Sequence, residues 1–212
     1  MSEKTIYAAL IEFGMSPAGA CAMLGNMMAE SSLKANIAQR GMTNLTDEAY
    51  TDRFDKYPDA CYRDGVGYGL CQWTFWSRKQ GLWELAFSRG VSVGDEELQV
   101  EYAVNELKAD YTGLWQHLCN ITDLYTATER ICKEFERPAV NNVAIRYDFA
   151  LDFYERLAKP KPSSDPKFPP DPSIAILQAV LAYNGYSAEI TGYKDNGFLA
   201  TMQEFLKDIS KP

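Results

Sequence analysis

The chain has 212 residues, 46% of them hydrophobic, and a formal net charge of −8. This length supplies one ordinary core and a small second unit, and no apolar run reaches the ~18 residues of a membrane span. The acidic balance, without a Lys/Arg-rich run, argues against nucleic acid as a ligand. A single histidine, His117, excludes a zinc hydrolase with several His ligands. Five cysteines without a CxxC pair predict buried free thiols, so neither a metal nor a cofactor is expected.

The first predicted elements are two helices and an irregular segment. Apolar spacing predicts a short helix over Thr5–Phe13 that ends at a glycine. Ser16 followed by Pro17 is a typical helix start, and the second helix should run to about Ser32. Residues 36–70 are polar, with scattered Gly, Asn and Asp and no period, which predicts a loop with room for a short hairpin.

Helical patterns resume in the second half of the chain and are separated by turn residues. We predict helices from about Trp76 to Gly90, from Asp95 through Leu107, from the capping box Thr126–Glu129 to Pro138, and over Asn141–Leu157.

A proline-rich segment divides the chain. Six of the ten prolines fall in residues 159–172, which predicts an extended spacer that is neither helix nor central strand. The expected organisation is therefore a main domain over 1–158, a linker over 159–172 and a small helical module over 173–212.

Glu30 interrupts the apolar pattern of the second predicted helix. It lies at the edge of a face formed by Met23, Met27 and other apolar residues, one turn before the helix ends. Partial burial and the carbonyl end of a helix both disfavour the charged carboxylate. A glutamate so placed should keep its proton to higher pH than a free one, as a general acid requires. The alternative is that Glu30 reaches water or pairs with Lys34.

The stretch "DGVGYGLCQWT", residues 64–74, indicates a second functional segment. Its glycines allow the backbone to approach a ligand or another chain segment closely. Aromatic and amide side chains at Tyr68, Gln72 and Trp73 suit flat, uncharged ligands such as sugar rings. A glycine turn with core aromatics is the alternative interpretation.

Four ordered segments carry a family resemblance: "GNMMAESSL", "GYGLCQWT", "LQVEYAVNEL" and "ATERICKEFERPA". Together they resemble the phage-type lysozyme-like muramidases, which include phage tail lysozymes and endolysins and are related to goose-type lysozymes and lytic transglycosylases. The resemblance covers residues 5 to 158. It implies a mostly helical α+β fold with two lobes, the smaller formed by residues 36–70, and a glycan-binding cleft between them.

The resemblance also implies site residues. Glu30 would be the catalytic acid, while Gly69, Leu70 and Gln72 would line the cleft with Tyr68 and Trp73 beside them. Glycoside cleavage usually needs a second carboxylate, and the candidates in the loop are Asp47, Asp55, Asp59 and Asp64. We prefer Asp64 because it directly precedes the glycine segment.

Two further features of the family pattern have open interpretations. Some relatives use one glutamate and form an anhydro sugar, so a transglycosylase remains an alternative. Glu136 matches a family glutamate and would either support the cleft or pair with Arg130, Lys133 or Arg137.

The C-terminal residues 173–212 resemble the small peptidoglycan-binding domain of wall hydrolases but are shorter. Forty residues rarely sustain a core alone. We therefore expect this module either to bind the cell wall or to mediate self-association.

The expected function is an endolysin that cleaves the MurNAc–GlcNAc β-1,4 bond of peptidoglycan glycan strands, without membrane insertion. Residues 1–4 lack a basic and apolar leader, so we expect synthesis in the host cytoplasm and release to the wall through a holin lesion. One rival is a cysteine amidase with Cys71 as nucleophile and His117 as base. A non-enzymatic rival is an inactive wall-binding or tail module.

Overall fold

The computed structural model describes residues 3–159, 172–186 and 196–209. This part of the chain forms the helices α1 (Glu3–Glu12), α2 (Pro17–Ser31), α3 (Asp47–Lys56), α4 (Asp59–Tyr62), α5 (Trp76–Arg89), α6 (Glu96–Asp110), α7 (Thr112–Asn120), α8 (Leu124–Arg130), α9 (Val143–Phe153), α10 (Pro172–Tyr183) and α11 (Asn196–Ile209). Two π-helical segments, Ile131–Glu136 and Tyr154–Ala158, continue α8 and α9. The chain divides into two compact units, Met1–Lys159 and Pro160–Pro212.

Helix α2 is the buried centre of the first unit. It starts where the sequence predicts, because the Ser16 hydroxyl accepts a hydrogen bond from the Gly19 N–H at 3.0 Å. Small residues along α2 let other helices approach closely. A Cβ at Gly25 would lie 2.5 Å from the Arg146 carbonyl oxygen and 2.7 Å from the Ala150 Cβ, so only glycine permits the contact with α9.

The prediction that residues 36–70 are a loop is wrong for their middle part, which contains α3 and α4. Thr46 caps α3 by accepting a hydrogen bond from the Ala49 N–H at 3.2 Å, and acidic residues occupy its first turn. Tyr50 and Phe54, four residues apart, are the buried side chains of this helix. The cap and the spacing are visible in the sequence, but the polar composition obscures them.

The mostly helical character expected from the sequence is confirmed. The β component of the expected α+β fold is confined, in the described residues, to isolated antiparallel bridges of Tyr68 with Ala38 and Trp73. The bridge to Ala38 joins the start of the small lobe to the glycine-rich segment, and the bridge to Trp73 lies within that segment.

The helix boundaries at α5 and α6 agree with prediction. Gly90 ends α5 in the left-handed conformation, and Asp95 caps α6 by accepting from the Leu98 N–H at 2.8 Å. The predicted start at Thr126 is wrong, because Asp123 accepts from the Thr126 N–H at 2.6 Å and α8 begins at Leu124. Helix α7 was not predicted.

In the second unit, Leu181 and Phe198 are buried, and the rings of Tyr186 and Phe205 meet edge to face. Most of the predicted proline-rich linker lies outside the described residues. None of the described helices has the length and apolar character that a bilayer crossing requires.

Candidate active site

A cavity of about 1050 Å³ in the first unit contains Glu30. We call it the Glu30 cavity. Its volume reaches the upper end of the range of about 300–1,000 Å³ typical of small-ligand sites. Its lining comes from the end of α2, from residues within the segments 37–40, 71–78 and 135–139, and from the end of α6. These parts of the chain bring carboxylates, guanidinium groups and amides together.

The Glu30 side chain is held by an ion pair from another helix. Arg146 of α9 donates from Nη2 to Glu30 Oε1 at 2.6 Å, and the two side chains are only 7% and 17% exposed. The same guanidinium donates from Nη1 to Asn26 Oδ1 at 3.2 Å, one turn earlier on α2. Glu30 thus pairs with Arg146 and not with Lys34. The pair fixes the carboxylate at the cavity wall.

Unfavourable backbone conformations concentrate around this cavity. Ser32, Gln72 and Arg137 line it and have φ values of +54°, +45° and +51°, and Leu33 next to Ser32 has +58°. These are the non-glycine residues with positive φ among the described residues. Such conformations cost about 1–3 kcal/mol each and cluster at functional sites. The concentration of strained residues therefore indicates that this cavity is a functional site.

The glycine-rich segment contributes less to the cavity than the resemblance implies. Gln72 lines it, whereas Tyr68, Gly69 and Trp73 are outside its lining. Tyr68 and Trp73 are fully buried. A Cβ at Gly69 would lie 2.4 Å from the Gln99 side-chain oxygen, so this glycine admits another part of the chain. Substrate binding by these three residues stays a prediction, and their contacts favour a structural role.

Glu106 of α6 anchors the wall of the cavity. Arg78 donates to it through Nε and Nη2 at 2.7 and 2.9 Å, and Trp73 Nε1 donates to it at 2.7 Å. The carboxylate is 6% exposed. Because its charge and its oxygens are matched by donors, this group serves to hold Arg78 and Trp73 in place.

Asp64 is engaged outside the Glu30 cavity. Lys79 Nζ donates to its Oδ1 at 2.7 Å, the Tyr50 hydroxyl donates to its Oδ2 at 2.8 Å, and the Val66 N–H donates at 2.9 Å. Lys79 is completely buried, and desolvation lowers the pKa of its amine despite the adjacent carboxylate. The catalytic role of Asp64 stays a prediction, and its contacts are those of a counter-ion for Lys79.

The other predicted loop carboxylates also lie outside the lining of the Glu30 cavity. Asp47 accepts from the Ala38 N–H at 3.1 Å, and Asp55 accepts from the Val93 N–H at 2.8 Å. Asp59 is an exposed residue in the first turn of α4. The structure therefore brings none of the four loop aspartates to Glu30.

Glu136 lines the cavity together with Glu30, as do Glu106 and Asp110 of α6. Its Oε1 is buried and finds no hydrogen-bond partner within the described ranges. Burial, followed by the charge of Glu30, raises the pKa of Glu136 to about 8. The pairing expected with neighbouring cations is not formed, because Arg130 binds Glu134, Lys133 binds Glu129, and Arg137 donates to the Glu134 carbonyl.

The residues of the cysteine amidase hypothesis do not meet in the cavity. Cys71 lines it, but burial raises the pKa of the thiol well above its ordinary value, which opposes thiolate formation. His117 lies on α7 and is not part of the lining. In residues 3–159, 172–186 and 196–209, no three metal-ligating side chains come together.

A helical body with an acid-bearing cavity is what the resemblance to the lysozyme-like cell-wall hydrolases implies. Residues 2–157 match the family model of the phage tail lysozymes, and the protein therefore belongs to that family. This confirms the resemblance inferred from the sequence. A search of curated proteins found no match. The family match ends before the second unit, whose wall-binding or self-association role stays a prediction.

Proposed function

We propose that the protein is a muramidase that hydrolyses the MurNAc–GlcNAc β-1,4 bond of peptidoglycan, with Glu30 as the general acid. The observation that carries the proposal is the placement of Glu30. It lies in the last turn of a buried helix, lines a cavity large enough for a sugar and is oriented by Arg146. A positioned carboxyl at a water-poor wall is the group that protonates a glycosidic oxygen.

The ion pair with Arg146 assigns different tasks to the two oxygens of Glu30. Oε1 accepts the hydrogen bond from Arg146, while Oε2 accepts none from the described residues. Proton delivery from Oε2 to the glycosidic oxygen breaks the C–O bond and leaves an oxocarbenium-like sugar. Water then attacks C1 and returns a proton to the carboxyl group, which yields a reducing MurNAc end.

The remaining lining suits a polar, largely uncharged ligand. Gln39 and Gln72 offer amides, and Thr74 offers a hydroxyl, for contacts with sugar hydroxyl and acetamido groups. The net charge of −8 disfavours capture of wall polyanions. The glycan strand is therefore the part of the wall that this cavity fits best.

A lytic transglycosylase acting on the same bond is the second candidate. It is favoured by the finding that none of the four loop aspartates lines the Glu30 cavity. In this route the substrate's own hydroxyl group attacks C1, so the reaction needs one acidic side chain and yields an anhydro sugar.

Loss of turbidity of purified bacterial walls tests the proposal. We expect Glu30→Gln to keep the melting temperature and to lose at least about 100-fold in rate, the usual contribution of a general acid. The matched control is Glu129→Gln, which removes a partly exposed carboxylate from the pair with Lys133 and should retain the rate. A Glu30→Gln variant as active as the wild type would contradict the assignment.

A further inference from the structure

One of the carboxyl groups that line the cavity with Glu30, that of Glu136, lies on an unusual backbone element. Glu136 is the last residue of the π-helical segment Ile131–Glu136, and the following Arg137 is left-handed. Single π-helical turns are rare and occur often at functional sites. The wider turn delivers Glu136 to the wall that also holds Glu30.

The surroundings of Glu136 leave its carboxyl without a dedicated counter-ion. The groups facing it are Glu30 of α2, Arg78 of α5, Arg146 of α9 and the Cys71 thiol. Both guanidinium groups are engaged elsewhere, Arg78 with Glu106 and Arg146 with Glu30. Arg137 also lines the cavity, but it donates to the Glu134 backbone carbonyl. Two carboxyl groups in one site whose guanidinium groups are already engaged cannot both be ionised cheaply.

We propose that Glu136 is a positioning residue that shares a single proton with Glu30 and acts through it during catalysis. This inference rests on the proposed glycosidase function. Because Glu136 Oε1 is buried and has no hydrogen-bond partner among the described residues, we assign to it the proton that the two carboxyl groups share. The single shared proton passes from Glu136 to Glu30 and from Glu30 to the glycosidic oxygen, and the C–O bond breaks as the leaving sugar takes it. Both side chains are then carboxylates until the attacking water bonds to C1 and returns one proton to the pair.

The arrangement explains how Glu30 acts as an acid while it faces Arg146. The pair as a whole retains one proton until Glu136 loses it, and the pKa of Glu136 is raised to about 8 by burial and by Glu30. In such coupled sites the protonation steps belong to the pair and not to one residue. The pair therefore keeps an acidic proton available in the cavity at neutral pH.

The pH dependence of wall cleavage by Glu136→Gln tests this inference. The wild-type rate should fall with an alkaline limb near pH 8. The amide that replaces the Glu136 carboxyl is neutral at every pH and cannot supply a proton. The alkaline limb of the variant's pH–rate profile should therefore move about one pH unit or more to lower pH. Glu134→Gln, on the same π-helical segment but paired with Arg130, is the matched control and should keep the wild-type profile.

A titration of the glutamate carboxyl carbons by ¹³C NMR tests the shared proton without an activity assay. A carboxyl with a midpoint near pH 8 should be present in the wild type and missing from Glu136→Gln. In Glu30→Gln the midpoint should fall, because the negative charge that raises the pKa of Glu136 is gone. This measurement on wild type and Glu30→Gln stands even when Glu136→Gln fails to fold.

The outcomes separate this inference from the proposed function. Three results would overturn the proposal of a shared proton. They are an unchanged alkaline limb in folded Glu136→Gln, loss of activity at every pH in that variant, and an ordinary glutamate titration midpoint for Glu136. In those cases, cleavage by the wild type and its loss in Glu30→Gln would still support Glu30 as the general acid. A wild type without glycosidase activity would instead contradict the proposed function.

A second and independent observation concerns two exposed aromatic residues beside the Glu30 cavity. Phe75 and Trp76 are 62% and 41% exposed, and their ring centroids lie 6.1 Å apart. They line a neighbouring cavity of about 410 Å³ together with Arg63, whose guanidinium lies 5.1 Å from the Trp76 ring centroid. Phe75 and Thr74 line both cavities, so the two adjoin each other.

The geometry points to Phe75 and Trp76, together the aromatic shelf, as a platform for a further saccharide of the glycan strand that enters the Glu30 cavity. This also rests on the proposed function. Exposed rings stack on the apolar face of a sugar. Because Phe75 lines both cavities, the glycan strand bound in the Glu30 cavity is the ligand we expect on these rings. The buried Tyr68 and Trp73, predicted to bind sugars, would thus be replaced in that role by their exposed neighbours.

Substrates of different length test the aromatic shelf. Phe75→Ala and Trp76→Ala should raise KM for long glycan strands about 3- to 10-fold, as loss of one stacked ring predicts, and leave kcat unchanged. The preference for long strands over short oligosaccharides should shrink accordingly. Phe87→Ala, a 73% exposed ring on the same helix, is the control and should change neither constant. A lower kcat with unchanged KM, or an unchanged preference for long strands, would overturn the assignment.

Discussion

Replacement of Asp64 by Asn separates a structural carboxylate from a catalytic one. In the structure Asp64 neutralises Lys79, whose side chain is 0% exposed and donates to Asp64 Oδ1 at 2.7 Å. Removing one partner of a buried pair costs about 3–5 kcal/mol. Asp64 is 23% exposed, so we expect the lower end, about 3 kcal/mol. At roughly 2–4 °C per kcal/mol for a chain of this size, the melting temperature should fall by about 6–12 °C.

The assay combines thermal unfolding with the rate of wall cleavage per folded molecule. The double variant Asp64→Asn with Lys79→Met should recover much of the lost stability, because no buried charge remains unpaired. Each folded variant should keep a rate within a few-fold of the wild type. An Asp64→Asn protein with unchanged melting temperature and a rate lowered by about 10² or more would refute this reasoning and make Asp64 the second catalytic carboxylate.

Three further outcomes are expected. Gly25→Ala should lose about 1–3 kcal/mol by overpacking, since its Cβ would lie 2.5 Å from the Arg146 carbonyl oxygen, and should slow cleavage by displacing that arginine; unchanged urea unfolding would contradict this. The pKa of Glu136 is raised in the folded protein to about 8, so its contribution to stability is complete below its ordinary pKa and is lost as pH rises to about 8. Urea midpoints should show this decline and Glu136→Gln should lack it. Cys71→Ala should retain wall cleavage, whereas loss of activity in the folded variant would revive the cysteine hypothesis.

The helices that the sequence predicts well are those whose ends are encoded locally. Ser16, Asp95 and Gly90 cap their helices through groups within four residues, so the residue types alone indicate the boundaries. The start of α8 was misplaced because two capping signals overlap, and Asp123 precedes the capping box by one turn. The π-helical continuation toward Glu136 has no local signature, since it depends on what the widened turn packs against.

The candidate site was predicted only where one residue stands out from its own helix. Glu30 interrupts an apolar face, and the family motif marks it independently. Its partner Arg146 lies 116 residues away, so the ion pair depends on the packing of α9 on α2, which no local pattern reports. The same holds for Asp64, because its bond to Lys79 depends on a buried lysine that the sequence offers as an ordinary surface residue.

The most direct test of the central claim is mass spectrometry of the fragments released from purified peptidoglycan. The wild type should release muropeptides that end in reducing MurNAc, and folded Glu30→Gln should release almost none. Fragments with anhydro ends would identify the reaction as transglycosylation and not hydrolysis. Intact glycan strands with cut peptides, or equal product from Glu30→Gln, would contradict the claim that this carboxyl cleaves the sugar chain.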